Sequence, residues 1–164
     1  MDALWGLIGT LIGALASVGT TWITTRNAAT QQIASAEYAR DEKNRAFQRE
    51  TLLDLQAAVS EMFRLIARAH LQDRKAFRDG TAWGRNMLDE DLDADMGAAF
   101  RKVSLLTARV VDDQLREEVK LAVESAAKVS VAVDERSAID QFSVAMDGGT
   151  SLMERIGDSL RKQY

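Results

Sequence analysis

His70 is the only histidine in the chain, and cysteine is absent. A lone imidazole acts as a general base only with a nucleophile or an acid held against it. No such partner sits at a telling spacing from His70, which therefore reads as a surface or core-edge side chain. Without cysteine there are no disulfides, thiolate nucleophiles or thiolate-bound metals. The strings HExxH, GxSxG and GxxxxGKS/T do not occur, so zinc hydrolase, serine hydrolase and P-loop chemistry lose their usual signatures. The acidic run Asp89, Glu90, Asp91, Asp93 and Asp95 invites a calcium reading. Counted from Asp91, however, an EF-hand loop would need Gly at Met96 and Glu at Lys102. Carboxylates at a helix start are favoured by the free N–H groups there, and that accounts for most of the run. A di-iron bundle needs Glu-x-x-His motifs on facing helices, which one histidine cannot supply. The expectation is no enzyme, no cofactor and no metal.

The elements that carry these residues are helical. Proline is absent from all 164 residues, and four of the ten glycines (Gly6, Gly9, Gly13, Gly19) fall in the first 25. With Ala, Leu, Glu, Arg and Gln abundant and no proline to interrupt them, long helices are the default. The fold class expected is all-α. The net charge of −4 is unevenly spread: residues 26–79 hold ten bases and eight acids (+2), residues 80–164 eleven and sixteen (−5). Neither part concentrates the positive charge that a phosphate backbone requires, so nucleic acid is not an expected partner.

Residues 3–25, ALWGLIGTLIGALASVGTTWITT, carry no charge. As a helix they would rise about 34 Å, enough to cross a hydrocarbon layer of about 30 Å. Trp5 and Trp22 would stand about 25 Å apart along it, one at each interface. Asp2 precedes the segment and Arg26 follows, with Arg40, Lys43 and Arg45 beyond. This charge bias predicts a single-pass protein of the cytoplasmic (inner) membrane, its N-terminus outside and its C-terminal domain cytoplasmic. A cleaved signal peptide would begin with bases, and here Asp2 stands instead. A core helix of a soluble protein, or a helix buried without lipid within an assembly, is the alternative. Gly6, Gly9, Gly13, Ala16, Ser17, Thr20 and Thr24 recur at three- and four-residue steps and form one stripe of small residues. In lipid such a glycine-zipper stripe lets backbones approach closely, so a homo-oligomer is expected through this face. Trp5, Trp22 and Arg26 are the expected interface residues.

Residues 27–79 contain neither Gly nor Pro and predict one long helix. Its first part, 27–51, has only Ile33, Tyr38 and Phe47 as large apolar residues and reads as a helical stalk. From Leu52 a coiled-coil-like seam begins: Leu52, Leu55, Val59, Met62, Ile66 and Ala69. Phe63, Ala67 and Phe77 widen it, Asp79-Gly80 and Gly84 break it, and Trp83 is expected to cap one end of the core. A second helix is predicted over 89–111 through Leu92, Met96, Ala99, Val103, Leu106 and Val110. Asp112 and Asp113 can cap a third, seamed by Leu115, Val119, Ala122, Ala126, Val129 and Val133. A further stretch covers 139–146, ended by Asp147-Gly148-Gly149. Ser151-x-x-Glu154 then signals a last helix through Leu152, Ile156 and Leu160. The aromatic side chains Phe47, Phe63, Phe77 and Phe100 are expected in the core. Residues 52–164 thus predict an antiparallel helix bundle, preceded by the transmembrane helix 1–26 and the stalk.

In layout the chain resembles a loose class of single-pass, membrane-anchored helical proteins of actinobacteria and their phages. The resemblance lies in a Gly/Ala-rich first helix ending in Thr24-Thr25-Arg26 and in FRLIARA at 63–69. It continues in VSLLTARVVDDQLREEV at 103–119 and in the closing LMERIGDSLR at 152–161. It implies the architecture and no activity. The function expected is a membrane-anchored, self-associating interaction or scaffold protein, in contact with membrane lipid and a cytoplasmic protein partner. Two alternatives are an oligomeric channel or membrane-permeabilising effector, in defence or phage exclusion, and a structural subunit of a larger assembly.

Overall fold

The computed structural model describes residues 2–164, with side chains described at Trp22, at 25–28 and from Thr30 onward. Over that range the chain is all-helical, with four helices: α1 (Asp2–Arg78), α2 (Glu90–Thr107), α3 (Asp113–Ser130) and α4 (Glu135–Arg161). It divides into two compact units, the first ending at Asn44 and the second comprising Arg45–Tyr164. Among the described residues no helix is long and apolar enough to cross a membrane. The span expected at residues 3–25 lies outside the described side chains, apart from Trp22 and Thr25.

In the first unit every described side chain is exposed, Trp22, Ile33 and Tyr38 included. Two contacts near its described start are local. Thr30 Oγ1 donates to the Arg26 carbonyl at 3.0 Å, and the Arg26 guanidinium lies 5.4 Å from the Trp22 ring centre.

In the second unit the seams read from the sequence become the core. Leu52, Leu55, Val59, Met62 and Ile66 of α1 are buried against Leu92, Met96, Ala99, Val103 and Leu106 of α2. Leu115, Val119, Ala122 and Ala126 of α3 and Ala145, Leu152 and Ile156 of α4 complete the cluster. Contacts between helices fix an antiparallel order. Gln48 at the start of the bundle meets Arg109 after α2, Asp73 meets Asn86 before it, and Arg49 meets Gln163 after α4.

The helix ends have local causes. The Gly80 N–H donates to Phe77 O at 3.1 Å and the Thr81 N–H to Ala76 O at 2.9 Å, the Schellman pattern. Gly80 sits at φ +98°, where a side chain would be strained. Asp112 caps α3, its carboxylate accepting from the Leu115 N–H at 3.0 Å, and Asp134 caps α4 by accepting from Ser137 N–H at 2.8 Å.

Four expectations are corrected. The second helix stops at Thr107 rather than at 111, because side chains take over from the helical hydrogen bonds. Gln48 donates to Arg109 O at 3.0 Å and accepts from Val111 N–H at 3.1 Å, and Arg116 donates to Val110 O at 2.6 Å. Val133 leaves the third seam and is 83 % exposed, since α3 ends at Ser130. No break occurs at Gly148-Gly149: α4 runs unbroken through it. A Cβ at Gly149 would lie 2.8 Å from Cε2 and Cζ of Phe63, so this glycine makes room for a ring of α1. Ser151, expected to cap, donates instead to Asp147 O at 3.1 Å within the helix. Finally, Phe63 is buried, but Phe47 and Phe77 are exposed, and Phe77 lies edge-on to Trp83 with ring centres 5.7 Å apart.

Candidate functional site

Three places in the second unit gather polar or unpartnered side chains. The first is the end of the bundle where the α1–α2 and α3–α4 connections meet. Trp83 donates through Nε1 to Ala132 O at 3.1 Å, joining the two loops as a cap on the core. His70 lies beneath it, 5 % exposed. Its ring stacks on Phe142 with centres 4.5 Å apart and planes 8° from parallel. It meets Trp83 edge-on at 6.4 Å. Asp73, Asn86 and Asp93 line a cavity of about 280 Å³ beside it. Burial pushes the imidazole below its ordinary value and Arg74 adds to this, while Asp73 and Glu135 pull the other way. Arg74 Nε stands 3.8 Å from the Glu135 carboxylate, buried and without a hydrogen bond. The neutral ring is thus a packing element with a titratable edge. Among the described residues no hydroxyl hydrogen-bonds to it.

The second place is at the opposite end. Arg155 of α4 reaches Asp112 at 3.2 Å and Glu118 at 3.4 Å, joining α3 and its cap to α4. This knot was not legible as a site, because the partners lie 43 and 37 positions away in sequence.

The third comprises the seams between helices. α3 lies closely along α4, whereas α2 meets α3 at few points. Two open grooves of about 520 and 510 Å³ remain along the α2–α3 seam, and one of about 340 Å³ between α3 and α4. The last is flanked by Leu121 and Val144, 64 % and 66 % exposed.

Of the residues singled out in the sequence, Trp5, Gly6, Gly9, Gly13, Ala16, Ser17, Thr20 and Thr24 lie outside the described side chains. Trp22 and Arg26 are described, exposed and in contact with each other. In the acidic run, Asp89 stands at the N-cap of α2 without a side-chain cap, and Glu90, Asp91 and Asp93 occupy the first turn. Among the described residues no group of three or more His, Asp or Glu is placed to hold a metal ion. Comparison with protein families, curated proteins and solved structures finds no match.

Proposed function

We propose that this chain is a membrane-tethered helical module that self-associates through its first helix and presents its bundle to a protein partner on the cytoplasmic side. One observation carries this reading: twenty-three uncharged residues in succession, with a tryptophan near each end and Arg26 following. Their transfer into hydrocarbon is favoured strongly enough to hold a protein at a bilayer. The stripe from Gly6 to Thr24 supplies a face for close helix pairing. The exposed side chains of residues 30–44 suit a segment that spaces a folded domain from its anchor.

The test uses the full chain with Trp83→Phe, so that only Trp5 and Trp22 emit. Brominated phospholipids should quench both indoles; unquenched emission sinks the tether. Size in nanodiscs should exceed a monomer and fall in the Gly9→Leu, Gly13→Leu double variant. An unchanged size removes the zipper.

A further inference from the structure

We propose that the groove between α3 and α4 is a docking site for a basic amphipathic helix of a partner protein. This rests on the reading of the chain as an interaction module and adds the face used and the chemistry of the partner.

Leu121, Ala122 and Ser125 of α3 and Val144, Gly148 and Ser151 of α4 form the groove. Its apolar flanks, Leu121 and Val144, are mostly open to solvent. Outward of Val144 the α4 rim is acidic. On α4 Asp140, Asp147 and Glu154 follow one another at seven residues and are exposed, whereas on α3 Glu117 is held by Lys120 and Glu124 lines the α2–α3 groove. Nearby bases are largely committed: Lys120 to Glu117 at 2.6 Å, and Arg155 to Asp112 and Glu118. Lys128 stands at one end of α3, a turn beyond Glu124, and Arg136 at the start of α4, a turn before Asp140.

Exposed carboxylates stand on the other helices too, at Glu50 on α1 and at Glu90, Asp91 and Asp95 on α2, but there Arg64, Leu71, Arg101 and Lys102 follow along the outer faces. Two copies paired symmetrically here would set carboxylates against carboxylates, which disfavours a second copy as the occupant. An apolar stripe flanked by Lys or Arg complements the groove in shape and charge, as in other helix-in-groove contacts.

Gly148 supplies an independent observation. Glycine inside a helix is unfavourable relative to alanine. At Gly149 the space is used by Phe63, but a Cβ at Gly148 would meet nothing within 4 Å. The gap faces the groove, where it would let a docked helix approach the α4 backbone closely.

The native absence of cysteine permits a direct test. The full chain carrying Val144→Cys, in phosphatidylcholine nanodiscs, is exposed to a Leu/Ala/Lys amphipathic peptide of about 18 residues with one activated cysteine on its apolar face. A matched Leu/Ala/Glu peptide and a Leu105→Cys protein serve as references, Leu105 being 68 % exposed on α2. The Lys peptide should modify Val144→Cys about tenfold faster than either reference reaction. Gly148→Leu, which raises helix propensity and so preserves the fold, should abolish that advantage. Equal rates at the two cysteines overturn the proposal. So does an advantage that survives Gly148→Leu, which would mark general attraction to an acidic protein. Residues 3–25 do not enter this readout, so its failure leaves the tether to stand or fall on the quenching and size measurements.

Discussion

At His70 a titratable ring has been used as packing. Phe142 covers one face and Trp83 closes the edge, so a proton would place a charge where water is scarce and Arg74 is near. The folded imidazole thus protonates at lower pH than the unfolded one, whose value is about 6.5. Between those values the unfolded chain binds more protons, and stability rises with pH. The contribution is undiminished above pH ~6.5, falls as the pH drops below it, and levels off once the folded ring is also charged. Urea midpoints at pH ~7.5 and ~5 should therefore differ, and His70→Phe should shrink the difference. A fall of the same size in the variant would assign it to carboxylates instead. The sequence could place His70 at a core edge, since it lies one position past Ala69 in a clear seam. It could not supply the stack, because Phe142 belongs to a helix 72 positions on. Arg155 and Asp112 teach the same lesson: the cap was visible from its position before Leu115, the ion pair only from the packed helices.

At the scale of elements, periodicity identified three seams almost residue for residue, because burial of one face is what stabilises each helix. It failed where punctuation residues had another use. Gly148-Gly149 reads as a stop, and Ser151-x-x-Glu154 as a restart, yet α4 passes through both. The two glycines answer different demands, and substitution should separate them. Gly148→Ala adds helix propensity in open space, so stability should rise by up to about 1 kcal/mol. Gly149→Ala gains the same propensity but pushes against the buried Phe63 ring. Overpacking costs about 1–3 kcal/mol, so the net effect there should be a loss. Denaturant midpoints of the two variants should move in opposite directions. Two shifts of the same sign would mean that Phe63 yields easily and that Gly149 is not a packing device. Connections were harder to read than helices. The turn after α2 is held by Gln48 of α1, which donates to Arg109 O and accepts from the Val111 N–H.

For the molecule as a whole, the charge division between residues 26–79 and 80–164 was readable, but the faces on which it falls were not, because these depend on which helices are neighbours. A second contrast lies within α1, one helix shared between two units. In the second unit Leu55, Val59, Met62 and Ile66 are buried in the core, and core helices open at the high end of the range of local stabilities. Residues 30–44 bury no described side chain. Their stability comes from helix propensity and from local side-chain terms, worth about 0.2–0.5 kcal/mol each. A helical segment held only by such terms opens readily. Amide hydrogen exchange on the full chain should therefore be at least about a hundredfold slower at 55–66 than at 30–44. The comparison also bears on self-association. If only the first helices pair, the stalk stays open to water and exchanges fast in the assembled protein. If copies also pack along the stalk, protection at 30–44 should rise with assembly and fall again in the Gly9→Leu, Gly13→Leu variant. Equal protection at both segments in that variant would contradict a stalk held by local terms alone.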